Sequence, residues 1–275
     1  MAGTIASLLH AYDLHPRKGL GQNFLADPVA LEGIVAAAEL SAADTVLEIG
    51  PGLGTLTERL AAQAGRVVAV ELDERLADVV RERLAGLGNV EVIHGDILDM
   101  GDLGFLGPGY KVVANLPYYI TSAVLRHLLD RTDRPRVIVV TVQREVAERI
   151  VAAPGDMSLL AVSVQFYGRP RIVARIPAGA FYPAPKVDSA VVRIDAGEQP
   201  AASLPAGVSE AALFRVVRAG FGQKRKTLRN ALSAGLSLPP ARTEEALHAA
   251  GIDPRRRAET LSLAEWVQLA RQLVP

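Results

Sequence analysis

The sequence predicts an α/β domain with a mostly parallel sheet and an antiparallel hairpin at its edge, followed by a small all-helical domain. Three observations carry that expectation. Short β-rich runs alternate with helical ones between residues 45 and 142. A glycine loop joins the first of those runs to a helix. Beyond Gly155 the alternation stops, and helical periodicity broken by Pro and Gly takes over toward the end of the chain. The 275 residues suffice for a large domain and a small one, placed at 1–198 and 208–275.

Thr45–Ile49 (TVLEI) reads as a buried strand and runs into the loop Gly50–Gly54. Thr55–Ala64 follows as a helix, and Arg66–Glu71 (RVVAVE) as the second strand. Asp73–Ala85 is a helix opened by an acidic cap and charged on one face. Val90–His94, Lys111–Asn115 and Arg136–Val142 are the next three strands, with a helix at Thr121–Asp130 between the last two. Strands alternating with helices build βαβ units, hence the parallel sheet. Past Gly155, Leu159–Tyr167 and Lys186–Ile194 are apolar-rich runs, expected to pair as an antiparallel edge hairpin across a loop holding Pro177, Pro183 and Pro185. Ala196–Val208 reads as a linker. Ser209–Ala219, Lys226–Ala234, Thr243–Ala250 and Leu263–Leu273 carry helical periodicity.

Composition narrows the function. No run reaches the roughly 18 apolar residues that span a bilayer, and the first residues lack a basic-then-apolar leader pattern. No membrane partner is expected, and a cytoplasmic location fits. Cys is absent, which excludes disulfides, thiolate chemistry and Cys-ligated zinc. The histidines (His10, His15, His94, His127, His248) show no metal-ligand spacing, so no metal is expected. The net charge of zero hides an asymmetry. Residues 1–164 hold 14 basic and 21 acidic side chains, a net −7; residues 165–275 hold 16 and 9, a net +7. A basic second half suits phosphate contacts as well as it suits a solvated surface.

Glu48-Ile49-Gly50-Pro51-Gly52-Leu53-Gly54 joins a strand to a helix, and its glycines let a ligand lie close to the backbone. Glu71 ends the second strand, 21 residues after Gly50, where a carboxylate can accept from both ribose hydroxyls of an adenosine. Asp96 follows the third strand, placed to accept from an adenine amino group. A carboxylate at Glu48 favours a cationic ligand over a pyrophosphate, hence S-adenosylmethionine over NAD. The alternative is that Glu48 and Asp96 are cap or turn residues. Three acidic positions at successive strand ends favour a site.

Asn115-Leu116-Pro117-Tyr118 follows the fourth strand. It resembles the [DNS]-P-P-[YFW] motif of methyltransferases acting on base amino groups. The amino nitrogen of adenine is a poor nucleophile because its lone pair is delocalised into the ring. The Asn115 side-chain oxygen and the Leu116 carbonyl can accept its two N–H bonds and aim the lone pair. Pro117 fixes the turn, and Tyr118 can stack on the ring and stabilise developing positive charge.

With these residues assembled, the chain resembles the small-subunit (16S) ribosomal RNA adenine dimethyltransferases. The resemblance begins at Lys18-Gly19-Leu20-Gly21-Gln22-Asn23-Phe24-Leu25 and continues through the glycine loop and the tetrad. It takes in Phe181-Tyr182-Pro183-Ala184-Pro185-Lys186-Val187-Asp188-Ser189 and ends in Phe221-Gly222-Gln223-Lys224-Arg225-Lys226-Thr227-Leu228-Arg229-Asn230. It implies a Rossmann-like, S-adenosylmethionine-dependent methyltransferase domain that places two methyl groups on N6 of each of two adjacent adenines near the 3′ end of the RNA. It implies cofactor contacts from Asn23, Leu25, Gly50, Glu71, Asp96 and Asn115; Glu48, Gly52, Leu72 and Ile97 complete the expected set. It places Phe181 against the target adenine opposite Tyr118, where core packing is the alternative. Tyr119 departs from the polar residue associated with its position.

Lys224, Arg225, Lys226 and Arg229 form a basic cluster on or before a helix, expected to contact ribosomal RNA phosphates, with a solvated face as the alternative. The expected partner is 16S RNA within an assembling 30S subunit, and nothing in the sequence demands more than a monomer. Three other readings stay open: a large-subunit methylase of the erythromycin-resistance type, an NAD-dependent oxidoreductase, and a non-catalytic assembly factor. The GFGQKRKTLRN segment favours the small-subunit enzyme over the first, and the tetrad argues against the other two.

Overall fold

A computed structural model describes residues 4–196 and 204–273. Its contacts divide the chain into two compact units, Met1–Ala147 with Pro170–Glu198, and Glu148–Arg169 with Gln199–Pro275.

The first unit starts with helix α1 (Ile5–Ala11), strand β1 (Phe24–Leu25) and helix α2 (Pro28–Ala38). α2 is nucleated where Asp27 caps it, Oδ1 accepting from Val29 and Ala30 N–H, with Pro28 at the first helical position. Then come β2 (Thr45–Ile49), α3 (Thr55–Ala61), β3 (Arg66–Glu71), α4 (Glu74–Arg83) and β4 (Val90–His94), followed by β5 (Lys111–Asn115), α5 (Thr121–Leu129) and β6 (Val137–Gln143). The four strands expected between residues 45 and 115 coincide with β2 to β5. The expected Arg136–Val142 is shifted by one residue.

Helix α6 (Arg144–Ile150) precedes α7 (Leu159–Tyr167), β7 (Gly168–Ile176), β8 (Phe181–Tyr182) and β9 (Ser189–Ala196). The sheet order is β4-β3-β2-β5-β6-β9-β7. β2, β3, β4, β5 and β6 run parallel, and β9 returns antiparallel to β6. Val46, Leu47, Val112, Val113, Ile138, Val139 and Val140 are fully buried, the near-continuous apolar strands of a sheet covered on both faces. A separate two-stranded sheet pairs β1 with β8, Phe24 opposite Tyr182 and Leu25 opposite Phe181.

The edge hairpin is present, but one of its expected strands is wrong. Leu159–Tyr167 is a helix, and β7 takes its place beside β9. A short all-apolar run does not reveal its own period. Here Ser158 caps the run by accepting from Ala161 N–H, and Gly168 stops it. β7 instead alternates exposed and partly buried positions between buried ends, as a half-covered edge strand does. Residues 197–203 of the expected linker lie outside the described residues.

The second unit contains α7 and the helices α8 (Glu210–Phe221), α9 (Leu228–Leu236), α10 (Pro240–Ala249) and α11 (Leu263–Leu273). Trp266 is fully buried, and Gly220 is what admits it: a Cβ there would lie 2.4 Å from the indole. Gly235 plays the same part between α9 and α8, where a Cβ would lie 2.7 Å from that of Ala219. Phe166 and Tyr167 of α7 pack on Phe214 of α8, ring centroids 5.3 and 5.9 Å away.

Candidate active site

The sheet reverses its direction of growth between β2 and β5. From β2 the chain builds outward through β3 to β4, then returns to add β5 and β6 on the other side. Such a switch point opens a crevice at the carboxyl ends of the two strands. Glu48 and Gly50 lie at the end of β2, Asn115 at the end of β5, and all three line one pocket with Glu71, Leu72, Asp96 and Ile97. Gly50, Gly52 and Gly54 hold positive φ angles of 70°, 60° and 77°, which explains the glycine at each. A Cβ on Gly50 would meet nothing within 4 Å; it would enter the crevice.

Glu71 is 6% exposed, and both its oxygens are held by backbone. Oε2 accepts from Gly52 N–H and Oε1 from Asp73 N–H, each at 3.0 Å. Burial raises its pKa, against the pull of those two N–H groups. The carboxylate is therefore fixed, with lone pairs left for a ligand. Asp96 caps a short 3₁₀ turn, Oδ1 accepting from Leu98 N–H at 2.9 Å, and lines the crevice as well. Its capping role thus leaves it in the wall of the crevice.

Glu48 is 1% exposed, and its Oε2 has no hydrogen-bond partner. Burial, with the neighbouring Glu71 charge adding, pushes its pKa from 4.5 to about 8. A raised carboxylate pKa means the folded chain holds a proton that the unfolded chain releases. Stability is then full below the unfolded value and falls as pH rises toward 8, by up to about 1.4 kcal/mol per pH unit. Glu48→Gln keeps the shape of the protonated form and is expected to flatten most of that fall. Thermal midpoints at pH 6 and pH 8.5 check this; a variant with the parent's slope sinks it. Glu71, also raised, leaves a residual slope.

Asn115 donates from Nδ2 to the Asn23 carbonyl at 3.1 Å. That bond orients the amide and leaves Oδ1 to accept. Leu116 is anchored through its N–H to Thr141 O at 3.2 Å, and the Pro117 carbonyl accepts from Ile120 N–H, closing the turn into α5. Tyr118 is half-buried, and its hydroxyl lies 2.7 Å from Ser189 Oγ. Burial raises its pKa, against that hydrogen bond.

The Arg17–Leu25 segment is tied down at several points. Gln22 Nε2 donates to Asp73 Oδ2 at 3.3 Å, and Arg17 lies 3.4 Å from the same oxygen. Burial pushes the Asp73 carboxyl up, but hydrogen bonds from Arg75 and Gln22 and the charge of Arg17 hold it below the ordinary range. Gly21, at φ 62°, lies under the ring of Tyr119, where a Cβ would come within 3.3 Å. Asn23 and Leu25 line the crevice.

Every cofactor position expected from the sequence lines this crevice, as do Asn115, Leu116, Pro117 and Tyr118. Phe181 does not. It is 4% exposed on the core face with Leu25, while its neighbour Tyr182 is 46% exposed. In the helical unit, Lys224, Arg225 and Lys226 are exposed in the turn between α8 and α9. Arg229, in the first turn of α9, is paired with Glu244 at 2.8 Å. Tyr119, singled out in the sequence for its departure, lines the crevice. Sequence reading missed Gln22, Asp73 and Ser189 as parts of the site. For Ser189 a signal existed: it closes the Lys186-Val187-Asp188-Ser189 stretch. The other two become legible only once the chain is folded.

Among the described residues no cluster of His, Asp and Glu is placed to hold a metal, and no helix is long and apolar enough to cross a membrane. A model of the ribosomal RNA adenine dimethylase family matches residues 14–274. A ribosomal RNA small subunit methyltransferase A of Dehalococcoides mccartyi is 52% identical over 95% of this chain and 90% of its own length. Its namesake in Pelotomaculum thermopropionicum is 46% identical over 97% and 94%. Among solved structures, a dimethyladenosine transferase from Plasmodium falciparum matches with a TM-score of 0.75 and 25% identity, over 90% of this chain and 95% of its own. The 23S rRNA methyltransferase ErmE matches with a TM-score of 0.70 and 30% identity, over 91% and 99%. The fold and the match imply S-adenosylmethionine as methyl donor. Because the match spans both compact units and takes in the glycine loop and the tetrad alike, the chain belongs to the ribosomal RNA adenine dimethylase family.

Proposed function

We propose that this chain transfers methyl groups to N6 of two adjacent adenosines near the 3′ end of 16S ribosomal RNA, dimethylating each. It acts in the cytoplasm, as a monomer, on an assembling 30S subunit. One observation carries the reading: Asn115, in the wall of the crevice, commits its Nδ2 to the Asn23 carbonyl, which leaves its amide oxygen as the group to accept from a substrate. That oxygen and the Leu116 carbonyl accept the two N–H bonds of the amino group, and Tyr118 takes a face of the base. S-adenosylmethionine supplies, when bound, an electrophilic methyl group on sulfur. Glu71 takes the ribose hydroxyls, Asp96 the adenine amino group, and the open backbone at Gly50 gives the ligand close approach. Glu48 lines the same crevice, and a cationic ligand beside it would favour its ionised form. Asn23, Leu25, Gly52, Leu72 and Ile97 complete the walls. The methylated nitrogen loses its extra proton afterwards, so no strong general base is required. The resemblance assigns Phe181 to the other face of the base; from its buried position that contact requires the β1–β8 pair to move.

Catalysis belongs to the domain at 1–198 and RNA binding to that at 208–275, with 148–169 grouping with the helical unit. Lys224, Arg225 and Lys226 are the phosphate contacts, with Arg229 a lesser one because Glu244 already holds it. Reversing the first three to Glu is expected to weaken RNA binding and reduce the slope of log affinity against log salt by up to about three, near one per phosphate lost. A slope equal to the parent's would return the cluster to plain solvation.

The deciding experiment supplies labelled S-adenosylmethionine with small-subunit particles, large-subunit particles or naked RNA, and maps the modified base. Dimethyladenosine pairs in the small-subunit arm support the proposal. Label confined to the large subunit transfers the chain to the activity named for ErmE, which its fold resembles.

A further inference from the structure

Ser189 is fully buried, yet its Oγ lies 2.7 Å from the hydroxyl of half-buried Tyr118. A buried serine hydroxyl needs a partner, and here the partner is the aromatic member of the acceptor tetrad. The two ends of this bond differ in freedom. Ser189 opens β9 in register with Gln143 of β6, inside the large sheet. Its predecessor Asp188 is fixed as well: Oδ1 accepts from Ala178 N–H and its carbonyl from Arg144 N–H, both at 3.0 Å. Tyr118, by contrast, stands in a turn beyond the end of β5. Its ring direction is set by two side-chain torsions, one of them broad. The hydroxyl lies on the axis of the second torsion, so a hydrogen bond there fixes the first torsion, and with it the place and direction of the ring. Stacking on a planar base needs the ring held at one place and loses contact when it swings away.

We propose that Ser189 is a positioning residue for methyl transfer: its hydroxyl holds Tyr118 in the direction in which its ring receives the target base. The inference rests on the reading of Tyr118 as the stacking face. Ser189→Ala and Tyr118→Phe are each expected to lower kcat about three- to tenfold, the worth of one oriented hydrogen bond. S-adenosylmethionine affinity, measured by calorimetry, stays at the parent value, which a general loss of structure would not allow. The double variant is expected to be no slower than the slower single one, because both remove the same bond. Ser189→Thr, which keeps a hydroxyl, recovers most of the rate. Parent-like turnover by either single variant overturns the proposal, and so do effects that multiply in the double variant. Should Ser189→Ala not fold, Tyr118→Phe with a parent-like rate overturns it alone. Tyr118→Ala separates the two levels. Parent-like methylation by that variant sinks the stacking role of Tyr118 itself. A loss there with no effect of Ser189→Ala sinks only the role of Ser189.

Discussion

Asn115→Ala is expected to reduce methyl transfer to small-subunit RNA by about a hundred- to a thousandfold, the cost of removing one preorganised group that acts on the reacting atom. Cofactor affinity falls less than tenfold. The asymmetry follows from where the side chain sits. Its Nδ2 holds the Asn23 carbonyl, which leaves Oδ1 for the proposed contact with the amino group. Alanine removes both functions: the amino group loses an orienting acceptor, and the segment at Asn23 loses one of its ties. The other ties, through Gln22 and Arg17 to Asp73, remain. Asn115→Asp divides the two effects. It keeps an oxygen toward the base and sets a second one against the Asn23 carbonyl, so it should retain more turnover than alanine while binding the donor no better. Single-turnover methylation with labelled donor, beside calorimetry of donor binding, reads both quantities. Near-normal methylation by Asn115→Ala would remove the basis of the acceptor site.

Gly52→Val should be the most damaging single change for cofactor binding, with affinity down by at least about a hundredfold. Three costs coincide at this position. Its φ of 60° lies where a β-branched residue is strained by about 1–3 kcal/mol. A Cβ would stand 3.0 Å from the ring of Phe24, which must give way. Its N–H donates to Glu71 Oε2, so a shifted loop also frees the carboxylate proposed to take the ribose. Phe24 precedes Leu25 in β1, so the disturbance extends to the segment that Asn115 anchors. A Gly52→Val protein that binds S-adenosylmethionine within threefold of the parent would show that the loop does not cradle the ligand. Gly50→Ala tests the neighbouring position differently: a Cβ there meets no protein atom, so beyond the backbone strain at its φ of 70° its clash should be confined to the bound ligand.

The central strands were legible because each is a short apolar run closed by a turn residue, and a sheet covered on both faces needs nothing else. The site residues at strand ends were legible for a related reason: a parallel sheet gathers its carboxyl ends on one edge, so Glu48, Glu71, Asp96 and Asn115 had to converge. Leu159–Tyr167 failed because an apolar run with Ser at its start satisfies a buried helix as well as a strand, and the packing of Phe166 and Tyr167 on Phe214 settles the matter from a distant part of the chain. The two-stranded β1–β8 sheet left no trace in either segment alone. Its paired residues, Phe24 with Tyr182 and Leu25 with Phe181, are 158 and 156 positions apart, and each strand is two residues long.

The sequence by itself determined the chemistry. A strand, a glycine loop, acidic strand ends and an Asn-Leu-Pro-Tyr turn are local patterns, and local patterns state which groups are available. The tertiary structure decided which way those groups face. The Asn115 amide is oriented because the Asn23 carbonyl, far upstream, takes its nitrogen. Tyr118 is held because Ser189, far downstream, is buried beside it. Glu48 holds a proton toward pH 8 because the sheet excludes water from it. Orientation and ionisation depend on partners and burial, and neither is encoded by a residue's immediate neighbours.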